Sequence, residues 1–270
     1  MQLIEIYKIW SEKPEIIVDF PDWMLSKKSI KELQGQKDVV IAEIAGRDSF
    51  AAVFKYLENH SVNVLVPTIA YTATEYGSVD ITLKKCMGLK ERLKSNGIRC
   101  LDPIFLGSPT FWWKLCGRYI SYLIDEFGFY TPCIGCHLYL HTIRIPLAKL
   151  INSDIIISGE REKHDGKMKL NQTDVALNYY TKICSRYNIN LVHPIRYIDN
   201  GQEITSILQE EWAEGKEQLK CVLSKNYISK EGKVYYPKEI VLKTKSFFEE
   251  FAIPIVDASI NKWCRNDGNQ

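Results

Sequence analysis

The chain has no run of apolar residues approaching the ~20 needed to cross a bilayer as a helix, which argues against a helical membrane protein. It has almost no charge imbalance either. Thirty-five Lys and Arg face 33 Asp and Glu for a net charge of +2, so only a local basic patch, not the whole molecule, would attract a polyanion. Internal repeats and low-complexity tracts are lacking, which excludes solenoids and fibrous arrays. The opening MQLIEIYKIW carries Glu5 and lacks a small-residue cleavage site. No secretory leader is expected there, and the expected location is the cytoplasm. What remains is an ordinary globular composition, 46% hydrophobic and 25% charged, in 270 residues. That length can bury one large core with an appendage.

Cysteine, by contrast, is not scarce: there are eight. In a reducing compartment they are expected to be thiols, metal ligands or redox groups rather than structural disulfides. Cys86, Cys100, Cys116 and Cys184 sit singly in helix-like or strand-like surroundings and are expected to be buried structural thiols. Cys133 and Cys136 form a C-x-x-C, the spacing of a metal, cluster or redox pair. Spacing alone leaves Cys221 and Cys264 undecided.

The chain is organised around positions 38–56, DVVIAEIAGRDSFAAVFKY. Positions 38–44 are an apolar, β-branched run of strand length. Ala45, Gly46, Arg47, Asp48 and Ser49 break it, and a helical pattern resumes at Phe50. A buried strand, a small-residue turn and a helix start can bind an anion, because backbone N–H groups converge there at the positive end of the helix dipole. An ordinary strand-to-helix turn, capped by Ser49 or Asp48, has the same appearance.

Further strands are expected at 3–6, 16–20, 63–69, 97–101, 154–158 and 190–193. Helices are expected at 29–36, 80–95, 110–127, 137–150, 175–187, 202–212 and 238–251, with a loose tail from Trp263. The aromatic stripe of 110–127 (Phe111, Trp112, Trp113, Tyr119, Tyr122) reads as core. His193 beside Pro194 reads as structural and His164, in the charged loop 163–169, as solvated; that loop reads as a lid or a plain turn. Buried strands alternating with helices predict an α/β fold with a doubly wound, mostly parallel sheet. The division expected is an N-terminal extension at 1–36, a nucleotide-binding α/β domain at 37–200 and a mainly helical region at 201–270. Ligands of such sheets sit at the carboxyl ends of strands, so the loops at 45–49, 70–77 and 159–161 would border one site.

The order of these loops resembles the PP-loop ATP pyrophosphatases, the adenine nucleotide alpha-hydrolase superfamily, whose Rossmann-like domains are of the HUP type. Gly46, Asp48 and Ser49 match the S-G-G-x-D-S loop of that family, with Ile44 and Ala45 in place of its first Ser and Gly. Cys133-x-x-Cys136, the helix after it, the strand DIIIS and Gly159-Glu160-Arg161 are similar to the iron–sulfur tRNA thiolation enzymes of the superfamily. There, His193-Pro194-Ile195-Arg196 would stand for an R-P-L motif and Cys221 for the third cysteine. Gly159-Glu160-Arg161-Glu162 is also similar to the G-x-R loop of sulfonucleotide reductases. The likeness covers roughly 38–221.

The resemblance implies an adenylating sulfurtransferase that binds ATP and Mg²⁺, activates a carbonyl with release of pyrophosphate and replaces its oxygen with sulfur. The acceptor would be a tRNA base or a small molecule, the sulfur would come from a separate donor, no membrane is involved, and a homodimer would be compatible. It implies Ala45, Gly46, Arg47, Ser49, Thr68, Thr72 and Gly159 at the nucleotide, with Val66 to Ile69 giving backbone to the adenine and Thr72 or Glu75 near the ribose. Asp48, Arg161 and Cys136 take the catalytic roles, with Arg47 and Lys169 as further cations. Cys133, Cys136 and Cys221 would hold a [4Fe–4S] cluster. Two other uses of the thiols stand beside this one: a zinc site including His137 or His141, and a persulfide on Cys136 resolved by Cys133. An amide or nitrile ligase, a sulfonucleotide reductase with zinc or redox cysteines, and a non-catalytic nucleotide sensor are the alternative functions.

Overall fold

The computed structural model describes residues 15–72, 74–212, 217–234 and 236–265. After helices α1 (Asp22–Leu25) and α2 (Lys27–Gln34) come β1 (Val39–Glu43), α3 (Arg47–Leu57), β2 (Val64–Ala70), β3 (Glu75–Tyr76), α4 (Asp80–Ser95), β4 (Arg99–Cys100) and β5 (Ile104–Leu106). Then follow α5 (Pro109–Trp112), α6 (Ile120–Phe127), α7 (Pro132–Thr142), α8 (Ile145–Leu150), β6 (Ile155–Ile157), α9 (Asp174–Ser185) and β7 (Asn190–Val192). The chain closes with α10 (Gly201–Leu208), β8 (Lys220–Cys221), α11 (Lys238–Ser246) and α12 (Ile253–Arg265). Among the described residues no helix is long and apolar enough to cross a membrane.

The β-branched runs make the sheet. Its order is β4-β2-β1-β6-β7, with β5 also paired to β2, and every pairing is parallel. Register is set in the centre, where Ile41 lies opposite Val66 on one side and Ile156 on the other. Alternate residues of β1 enter different cores: Val39 and Ile41 join the layer with α7, α8 and α9, while Val40 and Ala42 join the layer with α3, α4 and α10. Helices cover both faces, so the sheet is doubly wound and Rossmann-like, as the sequence predicts. The chain leaves β1 toward β2 and later returns to β6 on β1's other side. The crevice between the ends of β1 and β6 is therefore the topological switch point.

Several elements depart from their predicted form. Positions 16–20 form no strand beyond an isolated bridge from Ile16 to Gly107, and the strand predicted at 3–6 lies outside the described residues. The helix predicted at 110–127 is broken: Ser108 caps α5, a π-type turn follows over Trp113–Gly117, and Tyr119 leaves helical geometry before α6. Its aromatic stripe is only half core, since Phe111 and Trp112 are buried while Trp113, Tyr119 and Tyr122 are exposed. The tail is not loose at Trp263, which is buried edge-on against Phe111 with centroids 5.5 Å apart. Ile240, Phe247, Phe248, Val256 and Ile260 join the same core, so α11 and α12 pack as part of the main body.

Gly88 stands in the middle of α4 with nothing within 4 Å of where a Cβ would be. A helical glycine costs conformational entropy that alanine does not. Gly88→Ala is therefore expected to raise stability by about 0.5–1 kcal/mol, read as a higher urea midpoint at unchanged m-value.

Candidate functional site

Helix α3 starts at Arg47, three residues before the predicted start, because its first turn satisfies itself. The Ser49 hydroxyl accepts from the N–H groups of Ala45 (3.0 Å) and Gly46 (3.2 Å) and donates to the Gly46 carbonyl (2.6 Å). Ser49 thus caps from the third helical position, the reciprocal arm of a capping box. The turn is pinned by Gly159 at the end of β6: a Cβ there would lie 2.5 Å from the Ser49 nitrogen and 2.6 Å from its Cα. Only a residue without a side chain lets the two strand ends approach so closely.

Between these ends lies a cavity of about 280 Å³. Glu43 and residues 44–49 form one wall and Ser158, Gly159 and Glu160 another, with His137, Leu140 and Arg144 of α7 and its end beneath. Glu75, His164, Lys169, Gln172, Gln218 and Leu219 complete it. The loops at 45–49, 159–161 and the 70–77 stretch do meet in one site, through Ala70 and Glu75. Gln218 reaches in from the far end of the chain, its side chain resting on Gly46.

Arg161 is 1% exposed, and all three of its guanidinium nitrogens are hydrogen-bonded within the protein. Its Nε donates to Asp48 Oδ2 (2.9 Å), its Nη1 to the carbonyls of Ile198 and Asp199, and its Nη2 to His164 Nδ1 (2.8 Å). Asp48 also accepts from Arg47 Nε at 3.2 Å. Arg161 therefore ties the 45–49 turn to the loop after β7 and does not line the cavity. His164 is not solvated as predicted: it accepts from Arg161 and its Nε2 donates to Gln172 Oε1 at 2.5 Å. Burial, then the positive charges of Lys169 and Arg161, pull its pKa down to about 4. Thr68 is wholly buried, donating to the Ala42 carbonyl and accepting from Arg144 Nε (2.7 Å), and it does not line the cavity. Thr72 donates to Glu75 Oε2 (3.1 Å) in a neighbouring niche of about 40 Å³.

A carboxylate–imidazole network forms the floor. Burial alone would raise the Glu43 carboxyl, but His141 and Arg144 outweigh it and hold Glu43 below the usual carboxylate range. Glu160 is lowered in the same way, mainly by His137 against the cost of burial, and in turn raises His137. His137 Nδ1 lies 2.6 Å from Glu160 Oε1, and its Nε2 lies 2.8 Å from the Asn171 amide. His141 Nδ1 donates to both Glu43 oxygens (2.9 and 3.0 Å). Glu160, which the sequence places only within the motif Gly159-Glu160-Arg161, is buried at the end of β6 and joins this network.

The thiols assemble on the other flank of α7. The two-stranded ribbon of β3 and β8 sets Cys221 opposite Glu75, with Cys221 Sγ 3.6 Å from Thr74 Oγ1. Cys133 Sγ donates to the Leu223 carbonyl at 3.7 Å and is pushed up to about 12 by burial and by Cys136 and Cys221. Cys116 is buried, as predicted, and its thiol is also hydrogen-bonded to Cys136. Its position in the π-type turn puts it there, and Gly135 permits the approach, a Cβ at that residue lying 2.7 Å from the Leu115 carbonyl. Where the other buried cysteines are raised, Cys136 is lowered, chiefly by the Cys116 hydrogen bond against the opposing effect of burial, with His137 and the Trp112 indole N–H (3.3 Å) adding to it. Among the described residues no cysteine lines the cavity, but His137 and Glu75, which do, are close enough to shift Cys136. The nitrogens of His137 are directed to Glu160 and Asn171, and His141 Nδ1 to Glu43, rather than to the thiols. Cys86 and Cys100 are buried with pKa values near 12, and Cys184 is buried and raised, as expected of inert thiols.

Fold and site together define an α/β protein with a Rossmann-like parallel sheet, a polar crevice at its switch point and a thiol group beside it. No family model matches the chain. It is 38% identical over 256 residues to the uncharacterized protein MJ0009 of Methanocaldococcus jannaschii, covering 91% of each, and belongs to the family of that protein. Among solved structures it is similar to the U34-tRNA thiolase NcsA from Methanococcus maripaludis with its [4Fe-4S] cluster, at 13% identity and a TM-score of 0.38, over 90% of this chain and 78% of that one.

Proposed function

We propose that the protein is a nucleotide-dependent sulfurtransferase: it adenylates a carbonyl of a tRNA base or small molecule with ATP and Mg²⁺, and a sulfur nucleophile then displaces AMP. The observation that carries this reading is that a strand-end turn of anion-binding type and a set of thiols around one acidified cysteine, Cys136, flank the same helix, α7. The nucleotide phosphates would lie against residues 45–49, with Gly159 keeping the turn in place and the first-turn amides of α3 and Lys169 answering their charge. The substrate carbonyl oxygen attacks the α-phosphorus, the bond to pyrophosphate breaks, and sulfur then replaces the adenylated oxygen. Asp48 and Arg161 act as positioning residues, because their mutual ion pair holds the turn.

Cys133, Cys136 and Cys221 would hold a [4Fe–4S] cluster. The donor set fits: all three are thiols, and Cys133 is within electrostatic reach of the other two. When bound, such a cluster supplies an iron with an open position for sulfur. Cys136 as a persulfide carrier, with Cys116 as well as Cys133 beside it, uses the same thiols without iron.

A second reading, a nucleotide sensor without turnover, is favoured by the closed state of the turn, whose Ala45 and Gly46 amides are already taken by Ser49. One experiment separates the two. Anaerobic protein is given ATP, Mg²⁺, sulfide and unmodified tRNA, and pyrophosphate, AMP and thiolated nucleoside are measured. Equal release of pyrophosphate and AMP with thiolated product is expected, and Cys136→Ser is expected to lower product at least 100-fold while pyrophosphate release persists. ATP binding without pyrophosphate release from any acceptor would establish the sensor and overturn the enzyme.

A further inference from the structure

We propose that His137, His141 and Glu160 form a divalent-metal site of the zinc type in the cavity floor, separate from the thiols. The ligand atoms are already gathered: one donor from each residue lies within 4.8 Å of the others. The two histidines are four residues apart on α7 and so share a face, and Glu160 meets them from the end of β6.

One atom points to a ligand. His141 is 0% exposed, yet its Nε2 has no hydrogen-bond partner and lies 3.6 Å from Glu160 Oε1. A buried imidazole nitrogen left bare is costly unless something occupies its lone pair. Its Nδ1 is committed to the Glu43 carboxylate, which leaves Nε2 as the ring nitrogen facing the candidate site. That carboxylate–histidine arrangement is the outer support that metal-binding histidines carry.

The distances suit the ion. Ligands 2.0–2.2 Å from a tetrahedral zinc lie roughly 3.4 Å apart, and the His141–Glu160 pair stands at 3.6 Å. His137 Nδ1 is nearer to Glu160, at 2.6 Å, because a shared proton holds them. Metal would take that proton's place at Nδ1: the Asn171 amide turns its oxygen to accept from His137 Nε2–H, M²⁺ enters, H⁺ leaves to solvent, and the pair opens by less than 1 Å. Asn171 at His137 Nε2 and Gln172 at the second Glu160 oxygen hold the outer atoms of these ligands. Three protein ligands leave a fourth position. It opens on the His137 side, where the ring is 28% exposed and the cavity begins. The group bound there would be an oxygen, from water or from an anionic ligand lying against residues 45–49.

Cobalt tests this, and the result does not depend on the sulfurtransferase reading. The full chain is stripped with chelator, titrated anaerobically with Co²⁺ and followed by absorption, alongside Cys133→Ser, His141→Gln and Glu160→Gln. The wild type is expected to bind one Co²⁺ with visible ligand-field bands of tetrahedral nitrogen and oxygen ligation. Those bands are expected to survive in Cys133→Ser and to vanish in His141→Gln and Glu160→Gln. Any thiolate-to-cobalt band in the near ultraviolet is expected to go in Cys133→Ser alone. Loss of all cobalt absorption in Cys133→Ser, or a wild type without ligand-field bands, would overturn the site. Those two arms decide the matter even where a floor variant does not fold.

Discussion

Gly159→Ala is expected to cost about 3 kcal/mol of stability and to abolish nucleotide binding. The added methyl would stand 2.5 Å from the Ser49 nitrogen, 2.6 Å from its Cα and 2.8 Å from the Asp48 carbonyl carbon. All three are backbone atoms, so no rotamer change relieves the overlap. Overpacking of this kind costs roughly 1–3 kcal/mol, and relief requires moving the end of β6 away from the start of α3. A drop in melting temperature on the order of 10 °C follows. The Gly88→Ala variant is the control, the same chemical change where space is open. Nucleotide binding by calorimetry, together with the melting curve, checks the result; a Gly159→Ala protein as stable as wild type would refute the pinned turn.

Acidification from pH 7 to about 4.5 is expected to remove several kcal/mol of stability, beginning above the range where carboxylates titrate. His164 and His193 are both held near 4, by burial first, then by Lys169 and Arg161 in the one case and His141 in the other. Their folded values lie below the unfolded value of about 6.5, so the unfolded chain takes up protons first. The stability they contribute is present above pH 6.5 and lost as pH falls toward 4, about 3 kcal/mol for each at the limit. His137 has the opposite sign. Its raised value gives stability that is complete below pH 6.5 and fades as pH climbs through the folded value, so it offsets part of the loss near pH 7 and adds nothing further on the way to 4.5. Glu43 and Glu160, both lowered, add to the loss only below about pH 4.3. Urea midpoints across this range are expected to fall steadily. His164→Gln, which keeps a donor toward Gln172 and cannot become charged, is expected to remove about half of the slope. Flat stability between pH 7 and 5 would contradict the buried neutral state of both rings.

The central sheet was readable because strands buried on both faces are written as continuous β-branched runs, VVIAE and III among them. Short strands were harder: Ile104–Leu106 offers three apolar residues after Pro103, too few to show a period. The broken helix at 113–119 hid Cys116, because a single cysteine in an aromatic stretch has no spacing to mark it. Motif and strand order located the 45–49 turn, yet they could not show that all three guanidinium nitrogens of Arg161 would bond inside the protein. That depends on the carbonyls of Ile198 and Asp199, 37 and 38 residues away, and on the depth to which the chain folds over it. The floor network was invisible for a similar reason. Glu43, His137, His141 and Glu160 come from three elements, and only packing makes them neighbours.

Gln218 reaches the crevice, and Cys221 the thiols beside it, by way of a ribbon with two residues on each side, fastened at its end by the Val222 amide on the Thr74 carbonyl. So short a ladder contributes little by itself, and the sheet with its two cores is complete without it. What the ribbon supplies is placement: it sets Gln218 against Gly46 and Cys221 beside Thr74, two groups far along the chain brought to the turn and to the thiols by one short pairing.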